Sequence, residues 1–146
     1  MKAVVQRVKH TSLKVDEALI SEIDFGLTVF LGIKTGDTQA QADYLAKKIA
    51  NLRIFEDENG KMNLSVQAVK GEILLVSQFT LYGDASHGNR PSFTLAARPE
   101  IAEPLYEYTA EKLREYGIPV KMGVFGADMK IEQLNDGPVT ILLDAE

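Results

Sequence analysis

The sequence predicts an α+β protein with a largely antiparallel or mixed β-sheet system and two main helices on one side. Most of its apolar segments have the alternation or the short length of strands, and only two have helical spacing. The chain has 146 residues, 45% hydrophobic and 25% charged, which is the composition of one globular domain spanning residues 1–146. A domain of this length buries roughly two thirds of its unfolded surface and needs no metal or disulfide to fold.

The first half of the chain begins with strand patterns. Residues 2–9 alternate between apolar and polar side chains, as half-buried strands do. Further strands are expected at 12–15 and 19–23, on either side of a short acidic turn. The run 27–33 is apolar on both faces, which favours a central strand.

Helical spacing follows from residue 39 to residue 53, after a loop at 35–38 that ends in a helix cap. An Asn-Gly pair at 59–60 predicts a hairpin turn. The segment 72–80 carries the strongest strand signal in the chain, and the Gly-, Ser- and Asn-rich residues 83–92 form a loop by composition.

A second helix is predicted at 100–116, where Gly117 ends it and Pro104 is acceptable only within the first turn. One face of this helix carries a stripe of four glutamates, which we expect to face solvent: Glu103, Glu107, Glu111 and Glu115. Three further strands are expected at 119–125, 129–134 and 139–143, with a turn at 135–138 between the last two.

The residue content excludes several kinds of catalytic machinery. The chain has no cysteine and only two histidines, His10 and His87, and it contains no Gly-x-Ser-x-Gly sequence. A Ser-His-Asp or Cys-His site is therefore not expected, nor is a metal site or any other cofactor. No segment has the pattern of a signal peptide or an 18-residue apolar span, so we expect a cytoplasmic protein.

Net charge is −5, which by itself argues against a nucleic-acid partner, because phosphate backbones are bound through Lys and Arg. The acidic residues are unevenly distributed, however. Residues 99–146 hold 10 of the 21 acidic side chains and only 4 of the 16 basic ones. The first two thirds of the chain are close to neutral, so the net charge does not exclude a limited nucleic-acid contact there.

Two segments contain more polar groups than their strands or turns require. Ser77-Gln-Phe-Thr80 places two hydroxyls, an amide and an aromatic ring at the end of a strand, where a pocket could begin. The alternative is an ordinary half-buried strand. Asn135-Asp-Gly-Pro138 has the composition of a simple turn, which is the alternative there.

Six spaced motifs together resemble the D-aminoacyl-tRNA deacylases, also called D-Tyr-tRNA deacylases, and the resemblance runs from residue 1 to about 144. The motifs are Val4-Val-Gln-Arg-Val8, Leu52-Arg-Ile-Phe-Glu-Asp57, Ser77-Gln-Phe-Thr-Leu-Tyr82, Gly88-Asn-Arg-Pro-Ser-Phe93, Phe125-Gly-Ala-Asp-Met129 and Asn135-Asp-Gly-Pro-Val-Thr140. The resemblance implies a homodimer of barrel-like α+β subunits, whose strongly curved, mainly antiparallel or mixed sheets form β/β/α layers. It also implies a hydrolase for chiral proofreading, which cleaves the ester between a D-amino acid, or glycine, and the terminal adenosine of tRNA. The expected partners are the acceptor ends of D-aminoacyl-tRNA and Gly-tRNA, with no DNA and no membrane.

The same resemblance implies roles for the segment that ends the strong strand. Ser77, Gln78, Phe79 and Thr80 are the candidate catalytic residues, with backbone N–H groups near Phe79 and Thr80 as oxyanion donors and the Phe79 ring near the adenosine. A threonine hydroxyl needs a neighbouring base to act as a nucleophile, and the sequence suggests none. The alternative is that the 2′-hydroxyl of the tRNA helps to activate water.

Chiral selection is assigned by resemblance to Gly137 and Pro138, which in the family reach as a cis dipeptide into the pocket of the partner subunit. Arg7 would hold the carbonyls of this pair in orientation, while Phe125 and Met129 would wall the pocket. For the last three residues ordinary roles stay open, namely core packing for Phe125 and Met129 and a surface charge for Arg7.

Two other functions are compatible with the sequence. The first is a related deacylase that acts on mischarged L-aminoacyl-tRNA, although the Ser-Gln-Phe-Thr motif favours the D-specific form. The second is an RNA-binding module without catalytic activity. No Gly-x-x-Gly clamp, paired aromatic motif or basic stretch supports that second function.

Overall fold

The computed structural model describes residues 1–146, which form eight strands, two α-helices and one short 3₁₀ helix. The strands are β1 (Lys2–Val15), β2 (Ala18–Ile23), β3 (Gly26–Gly32), β4 (Phe55–Glu56), β5 (Met62–Leu64), β6 (Glu72–Ser77), β7 (Val120–Met122) and β8 (Lys130–Asp144). The helices are α1 (Gln39–Asn51) and α2 (Pro99–Glu115), and the 3₁₀ helix spans Phe79–Tyr82. Neither α-helix has the length and apolar character needed to cross a membrane.

Six strands form one mixed sheet in the order β2-β1-β3-β6-β7, with β8 also paired to β1. β1 is antiparallel to its three neighbours, whereas β3 with β6 and β6 with β7 are parallel. The first half of β1 pairs with β3 and its second half pairs with β2, so the long strand bends from one neighbour to the other. The α+β fold class with a curved mixed sheet and two helices is confirmed, and β3 is central as its apolar faces predicted.

Buried hydrophobic residues of the protein form two clusters. The two helices and the sheet face beneath them share one cluster of 26 buried hydrophobic residues. On the other side a smaller cluster joins Val8, Leu13, Ile23, Leu74 and Val76. Thr38 caps α1 in a reciprocal arrangement with Gln41, and the glutamate stripe of α2 faces solvent as expected. Pro104 lies beyond the first turn of α2, which corrects the expectation that it would lie within it.

The two pairs of strands expected at the chain ends are each one long strand, which is the main correction to the sequence reading. β1 runs without a break through residues 10 and 11, and β8 runs from 130 to 144. Gln6 pairs with Thr140 and Val8 pairs with Asn135, so residues 136–139 stand opposite Arg7 alone. The expected turn at 135–138 is therefore part of a bulge within β8, in which four residues stand opposite one.

Two strands are shorter than predicted. The strand expected at 72–80 ends at Ser77, because its neighbour β3 ends at Gly32 and offers no further backbone partner. Gln78 donates the last sheet hydrogen bond to the Leu31 carbonyl, and the 3₁₀ helix begins at the next residue. The strand expected at 119–125 is paired over Val120–Met122 only, because β6 contributes three partners there.

Tyr106 connects α2 to the sheet through two hydrogen bonds of its hydroxyl group. Its hydroxyl donates to the Leu75 carbonyl at 2.7 Å and accepts from the Gly123 N–H at 3.1 Å. The Gly123 N–H also donates to the Leu75 carbonyl at 3.2 Å, so each group keeps one partner without the hydroxyl. We expect Tyr106→Phe to remove the two hydroxyl hydrogen bonds and to lower the free energy of unfolding by about 1–3 kcal/mol. Urea denaturation of the variant beside the wild type measures this change.

The pH dependence of stability provides a second measure of the same residue. Burial raises the pKa of Tyr106 from 10.0 to about 12. Between these values the unfolded tyrosine loses its proton while the folded one keeps it, so the contribution of Tyr106 to stability is full below pH 10 and decreases as the pH rises to 12. We expect Tyr106→Phe to lack this part of the alkaline loss, and an identical loss in both proteins would contradict the assignment.

Candidate active site

A cavity of about 580 Å³ lies where the parallel strands β3 and β6 end. The carboxyl ends of parallel strands are a frequent place for ligand sites. Most of its wall is apolar, and it is lined by Leu31, Ile33, Val76, Ser77, Gln78, Phe79, Phe93, Ala96, Ala97, Pro99, Ala102, Phe125, Gly126, Ala127, Asp128, Met129 and Ile131. Five of the site residues predicted from the sequence are thus brought together: Ser77, Gln78, Phe79, Phe125 and Met129.

The polar part of the wall is the junction between β6 and the 3₁₀ helix. Ser77 is the last residue of β6, and Phe79 and Thr80 are the first two residues of the 3₁₀ helix. The first N–H groups of a helix have no acceptor within that helix. The backbone donors of Phe79 and Thr80 are therefore available at the end of the strand, beside a largely apolar cavity.

Thr80 does not itself line the cavity, although it follows Phe79 directly. Its hydroxyl is exposed and accepts a hydrogen bond from the Gln78 side-chain amide. An amide donor cannot take a proton, and no carboxylate or imidazole is hydrogen-bonded to this hydroxyl. The surroundings of Thr80 thus contain no general base that would make it a nucleophile.

The opposite wall is formed by the connection between β7 and β8. Phe125 packs against Tyr106, with ring centroids 6.0 Å apart, and is also in contact with the main hydrophobic cluster. Met129 borders the smaller cluster and approaches Gly123 so closely that a side chain at Gly123 would overlap its sulfur. Both residues therefore pack against the core and face the cavity.

Arg7, Gly137 and Pro138 lie elsewhere in the subunit, at the bulge of β8, and do not line this cavity. Gly137 and Pro138 are exposed, their peptide bond is cis, and Gly137 has a φ of +132°. Arg7 is 6% exposed, and it donates to the Asp136 carbonyl at 3.0 Å and to the Ile54 carbonyl at 2.7 Å. Arg7 is therefore a buried residue that fixes the bulge, which corrects its alternative reading as a surface charge.

Sequence reasoning assigned no role to Phe93, which lines the cavity on the side of the loop 83–92. Its ring meets that of Phe79 edge to face, with centroids 5.2 Å apart and an interplanar angle of 74°. Asp84 and Ser92 exchange two backbone hydrogen bonds of 2.8 Å, which close the loop just before Phe93. The sequence offered two signals, an aromatic residue at the end of a polar loop and its place as the last residue of the motif Gly88-Asn-Arg-Pro-Ser-Phe93.

The titratable group in the cavity wall is Asp128, whose exposed carboxylate is paired with Lys130 at 3.1 Å. His10 is paired with Glu22 at 3.1 Å, and His87 is exposed in the loop. No three His, Asp or Glu side chains lie together as they would around a metal ion. Asp84 has a pKa below its usual range because the Ser86 hydroxyl and N–H donate to its carboxylate, which supports the conformation of the loop.

The fold and the cavity define a small α+β protein whose apolar pocket presents backbone donors at one end. The chain belongs to the family described as D-Tyr-tRNA(Tyr) deacylase, whose model matches residues 4–144. A D-aminoacyl-tRNA deacylase of Syntrophomonas wolfei is 57% identical over 146 residues, covering 100% of this chain and 98% of the relative. A protein of the same name from Bacillus cytotoxicus is 51% identical over 146 residues, covering 100% of both chains. The family membership expected from the six motifs is confirmed.

Two solved structures are also similar. The structure of a c-Myc DNA Unwinding Element Binding Protein has a TM-score of 0.94 and is 47% identical in sequence. The match covers 100% of this chain and 99% of that protein's chain. The structure of a probable eukaryotic D-amino acid tRNA deacylase has a TM-score of 0.83 and 16% identity over 97% of each chain. At this low identity the second comparison shows the fold alone.

Proposed function

We propose that this protein hydrolyses the ester between a D-amino acid, or glycine, and the terminal adenosine of tRNA, releasing the amino acid and the tRNA. Family membership over residues 4–144 is the observation that carries the proposal. The cavity is compatible with it, because an apolar pocket of 300–1000 Å³ with a few polar groups is of the size that takes a drug-sized ligand such as an aminoacyl-adenosine.

The proposed chemistry relies on geometry and backbone donors. Water attacks the ester carbonyl, and the N–H groups of Phe79 and Thr80 stabilise the negative charge that develops on its oxygen. The bond between the carbonyl carbon and the 3′-oxygen of the adenosine then breaks, and the 3′-oxygen leaves as a hydroxyl with the proton that the attacking water gives up. Because Thr80 has an amide donor and no base beside it, we assign the orientation of water to the neighbouring 2′-hydroxyl of the substrate.

We further propose a homodimer in which Gly137 and Pro138 of one subunit reach the cavity of the other. This pair is exposed and lies outside the cavity of its own subunit. β8 is hydrogen-bonded to β1 alone, and its exposed leucines on either side of the bulge, Leu134 at 60% and Leu142 at 76%, offer apolar surface for a partner. The carbonyls of the pair would then meet the side chain of an L-amino acid, whereas a D side chain points away.

Arg7 has a positioning role in this proposal. Its guanidinium bridges two carbonyls that come from distant parts of the chain, Asp136 next to Gly137 and Ile54 after α1. A planar group with several fixed donors suits such a bridge better than a lysine does. The bulge would therefore present the carbonyls of Gly137 and Pro138 in one fixed direction.

Such a site reads the backbone of the amino acid and not its side chain. We therefore expect activity on many D-amino acids, weak discrimination against glycine and no activity on L-amino acids. The lack of activity on L-amino acids distinguishes this function from that of a deacylase of mischarged L-aminoacyl-tRNA. A cytoplasmic location and a single domain over residues 1–146 complete the proposal, since charged tRNA is used in translation.

The proposal is tested by incubating the protein with D-Tyr-tRNA and measuring the free tyrosine released over time. We expect release well above that of the uncatalysed ester, at enzyme concentrations far below those of the substrate. Repeated turnover distinguishes an enzyme from a module that only binds RNA. Protection of the ester, with binding but no release, would favour that module.

A further inference from the structure

Phe93 has an environment that its role as a cavity wall does not explain. Its ring is 37% exposed and that of Phe79 is 57% exposed, although large aromatic side chains are usually buried. Because the two rings meet edge to face, their contact covers a face of only one of them. The pair therefore presents free aromatic faces at the mouth of the cavity.

The position of Phe93 is fixed by its neighbours. The two backbone hydrogen bonds between Asp84 and Ser92 hold the chain directly before it. On its other side the ring lies against Gly83, where an added Cβ would come within 2.9 Å of a Phe93 ring carbon. The exposed ring is thus held against backbone by the loop and does not depend on a bound ligand for its place.

The size of the cavity indicates what lies at its mouth. A volume of about 580 Å³ is in the range that holds one drug-sized ligand, which here corresponds to the terminal adenosine with its amino acid. The nucleotide before the adenosine must then lie outside, at the rim. Exposed aromatic rings are the groups on which proteins stack the bases of single-stranded RNA.

We propose that Phe93 is a stacking site for the nucleobase that precedes the terminal adenosine of the tRNA. This inference rests on the proposed function and adds a second nucleotide subsite to it. The exposed guanidinium of Arg90, three residues earlier in the same loop, adds positive charge to this side of the cavity. Stacking of one base commonly contributes a factor of about 5 to 150 in affinity.

Two short substrates test this subsite without the rest of the tRNA. They are the 3′-D-tyrosyl esters of adenosine 5′-monophosphate and of the dinucleotide CpA, which differ by the added cytidine. We expect kcat/KM of the wild type to be about tenfold higher for the CpA ester, mainly through KM. In Phe93→Leu this ratio should fall to about one, whereas Phe93→Tyr should keep it.

The ratio separates stacking from a general effect on the pocket. Leu95→Ala is the matched control, because Leu95 is 49% exposed, lies two residues away and does not line the cavity. A ratio in Phe93→Leu equal to that of the wild type, or a wild-type ratio of one, would overturn the stacking site. If the wild type hydrolyses neither ester nor D-Tyr-tRNA, the proposed function itself fails, and that result is distinct from an altered ratio.

Discussion

Gly137→Ala is expected to lower kcat/KM for D-Tyr-tRNA by about a hundredfold or more, the loss that a displacement of about 1 Å at a reacting centre can cause. A Cβ at this position would come within 2.9 Å of both the backbone nitrogen and the Cγ2 of Val139 and within 3.3 Å of Arg7 Nη2. The φ of +132° is also one that residues with side chains rarely adopt. The bulge must therefore move, and the carbonyls that exclude L-amino acids move with it.

Matched variants separate this effect from a simple loss of stability. Gly60 lies in the hairpin between β4 and β5 and has a φ of +73°, so Gly60→Ala introduces the same kind of backbone strain. A Cβ added there meets no other atom within 4 Å. The activity of Gly60→Ala should equal that of the wild type. Arg7→Lys should show part of the Gly137→Ala defect, because one ammonium replaces a fork that bridges two carbonyls. Unchanged D-Tyr-tRNA hydrolysis together with unchanged refusal of L-Tyr-tRNA in Gly137→Ala would contradict the account of chirality.

The second large effect concerns the substrate and not the protein. Replacing the terminal adenosine of D-Tyr-tRNA by 2′-deoxyadenosine is expected to lower kcat by about 10²–10⁴-fold, the range that a positioned proton-transfer group contributes. Thr80→Ala is expected to cost far less, because the Thr80 hydroxyl is hydrogen-bonded to the Gln78 amide and has no base beside it. Single-turnover measurements of both substrates with both proteins give the four rate constants needed.

The 2′-deoxyadenosine substrate and the Thr80→Ala variant together distinguish the two proposed reacting groups. An inactive Thr80→Ala that binds substrate normally, together with an intact deoxy substrate, would make the Thr80 hydroxyl the reacting group. Thr80→Ser serves as the control, since it keeps the hydroxyl and the backbone N–H. Comparable rates for Thr80→Ser and the wild type with a slow deoxy substrate agree with water activation by the 2′-hydroxyl.

Local sequence signals predicted the elements whose structure depends on local contacts. Thr38 caps α1 as expected, and the two-faced apolar run of β3 correctly indicated a central strand. The alternation of residues 2–9 likewise matched the first half of β1. In each case the pattern reflects which faces of the element are buried, and that is visible within about ten residues.

Features that depend on distant partners could not be read in the same way. The bulge at Gly137 has the composition of a turn, and only the pairing of β8 with Gln6 and Val8 of β1 shows that the strand continues past it. The end of β6 at Ser77 is set by the end of its neighbour β3, about 45 residues earlier. The buried position of Arg7 depends on carbonyls at 54 and 136, which the sequence alone does not place beside it.

The residues of the candidate site also differ in how far the sequence alone predicted their positions. Ser77, Gln78 and Phe79 of the motif at 77–80 line one cavity with Phe125 and Met129, whereas Thr80 lies outside the lining. Gly137 and Pro138 lie outside that cavity within one subunit, so their proposed role requires a second copy of the chain. Phe93 was missed because an aromatic residue after a polar loop has no pattern that distinguishes a site from ordinary packing.

The most direct measurement of the central claim compares hydrolysis of D-Tyr-tRNA and L-Tyr-tRNA by the wild-type protein, with the same tRNA and the same enzyme concentration. We predict rapid release of D-tyrosine, and release of L-tyrosine no faster than without enzyme. Comparable rates for both esters, or release of L-tyrosine alone, would contradict a site that selects chirality at the α-carbon.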